Sequence, residues 1–250
     1  MKKNFQLQEN FFSFGPFVKC PVPEMIESIA LAGYSFAVVD MEHTPLGPRD
    51  LYPLKLAAEA RNLDLIVRIP MGLEMYFKWC LDLGIEYVQV PFVQTKQDAE
   101  NAIALSRFNP EGHRGLCRFV RNADFSTVPG TSYVPQANER SKMILQIEGM
   151  EGVKNIDDIL SVPHIYGIFL GPYDLSQSLG IPGQIWDSRV TTLMKSVILK
   201  CQEKNIRLGT FTDTPEGIHF WSSLGVNFIE YASDLNIFIQ ASQKLLSFDK

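Results

Sequence analysis

No Cys-x-x-Cys pair occurs in this 250-residue chain, and its four cysteines, Cys20, Cys80, Cys117 and Cys201, lie far apart. That scatter argues against a disulfide framework or a zinc knuckle, and free thiols suit a reducing cytosol. Apolar runs are short, and none approaches the roughly 20 residues of a membrane span. Met1-Lys2-Lys3 is followed by Gln, Glu and Asn rather than by an apolar segment, so no signal peptide is expected. Basic charge is scarce too. Lys plus Arg number 23 against 28 Asp plus Glu, a net charge of −5, whereas a nucleic-acid partner usually calls for a basic face. Internal repeats, low-complexity tracts and interdomain linkers are also missing. These absences point to a soluble cytoplasmic protein with no membrane or nucleic-acid partner.

What is present is a regular alternation. A hydrophobic share of 46% supports a sizeable core, and the length fits one domain over residues 1–250. Strands are predicted at Phe12–Val18, Phe36–Met41, Leu65–Ile69, Tyr87–Val93, Met143–Ile147, Gly167–Leu170, Arg207–Phe211 and Phe228–Tyr231. Helices are predicted between them at Pro23–Leu31, Arg49–Arg61, Glu74–Leu83, Lys96–Ser106, Gly152–Leu160, Val190–Asn205, Thr214–Leu224 and Leu235–Leu246. The strands are apolar almost throughout, as in a parallel sheet covered on both faces. Eight βα units of about 30 residues each point to a single closed (β/α)8 TIM barrel. The stretch near 107–141 has no strong period and reads as a long irregular loop. It follows the fourth strand unit, so it is expected to reach the top of the barrel, and loops of that length are more often functional than passive.

Barrel active sites form at the C-terminal ends of the strands, and four strand ends here carry polar groups that a plain core would not. They are Asp40-Met41-Glu42-His43, the Arg68 of Val67-Arg68-Ile69-Pro70, Gln146-Ile147-Glu148, and Gly171-Pro172-Tyr173-Asp174. An arginine among Ile and Val is costly to bury unless an anion meets it. Two carboxylates at neighbouring strand tops repel unless a cation or proton lies between them. Glu148 and Asp174 offer hard oxygen ligands, which favours Mg2+ or Mn2+ over zinc, with Co2+ a further candidate. Two protein ligands leave positions for water and a 2-oxo acid. Arg68 would stabilise charge on the keto oxygen as an enolate develops, and His43 is the obvious proton shuttle. The Gly171–Asp174 turn offers N–H groups to a carboxylate. Plainer readings stand beside these: Asp174 as a helix N-cap, Glu148 as a salt-bridge partner of Arg68, His43 as a surface residue. No lysine is read at a strand top, so a Schiff base is not expected.

At these residues the sequence resembles the HpcH/HpaI aldolase family, metal-dependent class II enzymes acting on 4-hydroxy-2-oxo acids or 2-keto-3-deoxy sugar acids. The likeness spans nearly the whole chain, adding Leu81-Asp82-Leu83-Gly84 and Pro110-Glu111-Gly112-His113-Arg114-Gly115 to the strand-top motifs. It implies a barrel of the phosphoenolpyruvate/pyruvate type, with a pyruvate enolate as nucleophile and an aldehyde as electrophile. It implies His43 as base, Arg68 as transition-state stabiliser, and Asp40 and Asp82 as further members of the catalytic group. Glu148 and Asp174 would hold the metal, with Gln146, Gly171, Tyr173 and Asp174 holding substrate. Asp82 should lie at the bottom of its own barrel, so a neighbour in a homo-oligomer, a trimer or hexamer, would supply it. The chain departs from the family pattern at Tyr173, where a small residue is frequent, and after Arg114-Gly115, where small residues are usual and this chain reads Leu116-Cys117-Arg118-Phe119-Val120-Arg121-Asn122. The three arginines of this loop suggest an anionic or polyhydroxylated electrophile, a solvated loop or a subunit contact. The rival readings are a lyase acting on a coenzyme A thioester or citramalate-like substrate, and a non-catalytic barrel that binds a 2-oxo acid.

Overall fold

The computed structural model describes residues 12–247; the signal-peptide reading of the first residues lies outside them. Its eight parallel strands close into a barrel in the order β1 to β8. They are Ser13–Val18, Phe36–Asp40, Asp64–Arg68, Tyr87–Val90, Lys142–Ile147, Ile165–Leu170, Arg207–Thr212 and Phe228–Ser233. The helices are α1 Pro23–Leu31, α2 Pro48–Arg61, α3 Glu74–Leu83, α4 Lys96–Ser106, α5 Gly130–Arg140, α6 Met150–Lys154, α7 Ile156–Ile159, α8 Pro172–Ser178, α9 Ser188–Glu203, α10 Pro215–Ser223 and α11 Asp234–Leu246. This is the TIM barrel that the alternating pattern predicts. Among the described residues, no helix is long and apolar enough to cross a membrane.

Local chemistry sets the boundaries. Thr95 caps α4 by accepting from Asp98 N while the Asp98 carboxylate accepts from Thr95 N, a reciprocal capping box. Gly84 ends α3 at φ +90, a conformation that side chains with a Cβ disfavour.

Alternate residues of each strand face inward. Phe17, Phe36, Val38, Ile66, Tyr87, Ile144, Phe169 and Phe228 form an apolar plug inside the barrel. The larger cluster, with Ile26, Leu54, Val67, Leu145, Leu170 and Ile198 among its members, seals the outer strand faces against the helices. Two residues further along several strands, the inward position turns polar: Asp40 after Val38, Arg68 after Ile66, Gln89 after Tyr87, Gln146 after Ile144, Glu230 after Phe228. The site stands on that change.

Two expectations about residues 107–141 need correction. The segment is not irregular throughout, because α5 occupies Gly130–Arg140. Its period escapes notice because α5 is mostly polar and carries Pro135, while its buried Tyr133 and Ala137 pack with Phe108 and Ala123 in a small separate cluster. Nor does the segment reach the top of the barrel. Helix α4 returns the chain to the bottom, and the segment ends at Lys142, whose N–H bonds to Glu86 O just before β4. Arg121 binds Glu59 near the end of α2 and Leu83 O at the end of α3.

Candidate active site

A cavity of about 410 Å3 opens at the C-terminal mouth of the barrel. Its wall includes His43, Arg68, Gln146, Glu148, Gly171, Tyr173 and Asp174, together with Lys19, Phe211, Asp213, Ser233 and Asn236. Most of the residues singled out from sequence therefore converge on one concave surface.

Strand register explains the closest pairing. Asp40 and Arg68 stand opposite each other in the β2–β3 ladder. Arg68 donates from Nε and Nη2 to the two Asp40 oxygens at 3.0 and 2.9 Å, and its guanidinium lies 4.9 Å from the Phe17 ring centroid. The anion that makes a buried arginine tolerable is Asp40. Burial alone would raise the Asp40 carboxyl, but hydrogen bonds and charge from Arg68 and Lys19 outweigh it and hold the group well below the usual carboxylate range. Asp40 also accepts from the N–H groups of Glu42 at 3.1 Å and His43 at 3.3 Å. It is fully buried and absent from the cavity wall. Its oxygens hold Arg68 and the turn that carries His43, and do not face the cavity.

His43 stands at the rim with its side chain 67% exposed, and its Nε2 lies 3.9 Å from Glu42 Oε2. Burial raises the Glu42 carboxyl despite the charges of Arg68 and His43.

Glu148 follows β5, one residue past the ladder pair Ile147–Leu170, which brings it against Gly171. A Cβ at Gly171 would fall 2.7 Å from Glu148 Oε2 and 2.8 Å from Glu148 Cβ, so only glycine leaves room for this carboxylate. The Gly171 N–H bonds to Ile147 O at 3.1 Å and so is not among the donors that this turn offers to a carboxylate, although the residue lines the cavity. Glu148 Oε1 accepts from Phe92 N at 2.9 Å, and Oε2 accepts from Gln146 Nε2. Phe92, which supplies this N–H, stands at φ +55, a backbone state that costs about 1–3 kcal/mol and clusters at functional sites.

Asp174 is the third residue of α8, and Gly171 at the N-cap position has no side-chain cap bond, so the capping reading of Asp174 falls. The salt-bridge reading of Glu148 falls as well, since the acidic partners of Arg68 are Asp40 and Glu42. Tyr173 OH donates to Asp213 Oδ2 at 3.3 Å, and its ring packs on Phe211 at 5.7 Å between centroids.

The charge balance around Glu148 tests its fitness for a metal. Burial, with added repulsion from Asp174 and Glu42, pushes Glu148 up to about 7, against the opposing hydrogen bonds of Gln146 and Phe92 N. Two hard carboxylates facing one cavity, one of them destabilised as an anion, are relieved by a divalent cation. Among the described residues there is no cluster of three or more His, Cys, Asp or Glu set to hold a metal, so the remaining ligands would be water and substrate. The donor set fits such a site.

Three residues of this region escape the sequence reading. Lys19 follows β1 directly, lines the cavity and donates to Asp40 Oδ2. A lysine does stand at a strand top, contrary to the expectation that none does, although its ammonium is engaged by Asp40. The other two, Gln89 and Glu230, lie fully buried beneath the site. Strand parity could have found all three, since they fall two residues after the inward Phe17, Tyr87 and Phe228.

Asp82 is not brought to the cavity. It stands in the last turn of α3 at the bottom of the barrel and pairs with Arg114 at 2.5 Å. Arg118 binds the carbonyls of Ser126 and Val128, and Arg121 is tied to Glu59. The three arginines thus lie at the opposite end of this chain's barrel from the cavity and take no part in its wall.

Several known proteins are similar to this chain. Residues 13–241 match the family model described as HpcH/HpaI aldolase/citrate lyase. A 5-keto-4-deoxy-D-glucarate aldolase of Klebsiella pneumoniae subsp. pneumoniae is 31% identical over 223 residues, covering 89% of this chain and 86% of that protein. A 2-dehydro-3,6-dideoxy-6-sulfogluconate aldolase of Pseudomonas putida is 32% identical over 220 residues, covering 88% and 86%. Among solved structures, the citrate synthase SbnG superposes with a TM-score of 0.85 at 33% identity, covering 95% of this chain and 93% of that one.

Proposed function

Because the chain belongs to the HpcH/HpaI aldolase/citrate lyase family, we propose that it is a divalent-metal-dependent aldolase that cleaves and forms the bond between a pyruvate unit and an aldehyde. The substrate is a 4-hydroxy-2-oxo acid of the 2-keto-3-deoxy sugar acid type, as the names of its relatives suggest. One observation carries this reading. Glu148, Asp174, Arg68 and His43 face a single cavity, and together they supply cation ligands, an anion stabiliser and a base.

In the cleavage direction His43 takes the proton of the C4 hydroxyl. The C3–C4 bond breaks, its electron pair moves to the 2-oxo end, and the aldehyde leaves. Arg68, held by Asp40, places fixed positive charge beside the oxygen that becomes negative. The N–H groups of Tyr173 and Asp174, in the first turn of α8 where no helical acceptor is available, receive the substrate carboxylate. Return of that proton from His43 to C3 then yields pyruvate and restores the base. A Mg2+, Mn2+ or Co2+ ion held by Glu148 and Asp174 would add Lewis-acid charge at the 2-oxo acid.

The assembly is proposed to be a homo-oligomer, a trimer or hexamer, acting in the cytoplasm. In it Asp82 of a neighbouring copy approaches His43. The exposure of Phe238 at 69%, Ile239 at 50% and Leu246 at 78% on α11 supports a covered face. A monomer in sedimentation that retains full activity would remove this part.

Chelation tests the whole reading. Dialysis against a chelator is expected to abolish pyruvate release from a 4-hydroxy-2-oxo acid, and Mg2+, Mn2+ or Co2+ to restore it. Borohydride with pyruvate is expected to leave the protein's mass unchanged, because Lys19 is engaged by Asp40. A pyruvate adduct on Lys19 would overturn the metal mechanism.

The similarity to the citrate synthase SbnG favours one second reading, condensation onto a 2-oxo acid rather than an aldehyde. Supplying oxaloacetate with acetyl-coenzyme A in place of the aldehyde and pyruvate, and following citrate, separates the two.

A further inference from the structure

The polar tier between the cavity and the apolar plug holds two side chains that the proposed chemistry does not use. Gln89 on β4 and Glu230 on β8 are both 0% exposed. Gln89 Nε2 donates to Gln146 Oε1 at 2.7 Å and reaches Glu230 Oε2 at 3.4 Å. Gln146 donates in turn through Nε2 to Glu148 Oε2. Barrel interiors of this kind are ordinarily filled by branched apolar side chains, and an amide and a carboxyl cost free energy to bury there. Gln89 Oε1 and Glu230 Oε1 even lack a protein partner.

We propose that Glu230 and Gln89 are positioning residues that fix the amide of Gln146 and, through it, set the Glu148 carboxylate for a divalent cation. This rests on the reading of Glu148 as a cation ligand.

Donor and acceptor order carries the inference. A carboxylate only accepts, whereas an amide has one donating and one accepting end. Gln146 must therefore turn its NH2 group toward Glu148, which leaves its oxygen facing Gln89. Gln89 must answer with its own NH2 group, whose remaining hydrogen goes to a Glu230 oxygen. Reversing either amide would set two acceptors face to face, so each link fixes the next and Glu230 ends the chain. Burial pushes Glu230 up to about 8, opposed by Arg68 and Gln89 and reinforced by Asp40 and Glu148. That direction favours the protonated acid, which still offers an acceptor oxygen and adds no negative charge near Glu148.

Mn2+ binding by the full chain, followed by calorimetry beside the melting temperature, tests this. Glu230→Leu and Gln89→Leu replace buried polar groups by apolar ones of similar size, a change that cores tolerate. Each is expected to keep the fold and weaken Mn2+ roughly 10–100-fold, the usual effect of losing an outer-shell partner. The double variant should lose no more than the worse single one, because both act through one chain of bonds. Glu230→Gln, which keeps an acceptor oxygen, should stay close to the unmodified protein. If a Leu variant melts early, Gln89→Met carries the same test. Unchanged Mn2+ affinity in the folded Leu or Met variants, or additive losses in the double variant, would overturn the proposal. The parent reading fails separately, if Glu148→Gln binds Mn2+ as the unmodified protein does.

Discussion

Replacing His43 by alanine is expected to slow the aldol step roughly 10²–10⁴-fold, the usual contribution of a positioned general base. Added imidazole should restore part of the rate, because the rim position of His43 leaves its place open to a small diffusible base. Pyruvate and metal binding should survive, since neither needs the ring. Arg68 should fail differently. Removing a preorganised donor at a developing anion typically costs about 3–4 kcal/mol, or about 10²–10³-fold in kcat. Arg68→Ala would also leave the buried Asp40 carboxylate without its main partner, a change that destabilises folds by about 3–5 kcal/mol. Arg68→Lys is therefore the cleaner variant, because it keeps the charge but loses the two parallel bonds to Asp40. Imidazole should not rescue it. Nearly full aldol activity in His43→Ala would move the base assignment to a buffer phosphate or a metal-bound hydroxide.

Glu148→Gln and Asp174→Asn should each weaken divalent-cation affinity by more than the roughly 10–100-fold expected for an outer-shell partner. The fold should hold in both. Gln at 148 retains an oxygen for Phe92 N, and it removes a charge that burial already disfavours. Asp174 makes no capping bond for α8 to lose. Metal titration with a melting curve for each variant decides the point. Near-normal affinity in both would mean that the two carboxylates serve some purpose other than holding a cation.

The barrel was legible because most strands are short apolar runs and most of the helices between them keep an amphipathic period. The strand-top motifs were legible for a related reason: a charge at the end of an apolar run has no place in a plain core. Legibility stopped where the signal lay in alternation rather than at the end of a run. Gln89 sits inside Tyr87–Val90 and Glu230 inside Phe228–Ser233, where one polar letter looks like an outward residue unless parity is counted from Tyr87 and Phe228. Lys19 escaped notice because it stands one residue beyond β1. The course of residues 107–141 was misjudged because α4 reverses the chain, which sends Arg114, Arg118 and Arg121 to the bottom. Asp82 shows a different limit. Its motif resembles the family's, yet within one chain it meets Arg114 rather than His43, and only an assembly could bring it to the cavity.

Formation of the pyruvate enolate is the central claim, and proton exchange tests it without any aldehyde. The purified protein is incubated with pyruvate in deuterium oxide, with Mg2+, Mn2+ or Co2+ and then with a chelator, and the methyl signal is followed by NMR. The account predicts metal-dependent loss of the methyl protons that stops on chelation. Methyl protons that persist at the background rate with every ion, while pyruvate is shown to bind, would contradict it.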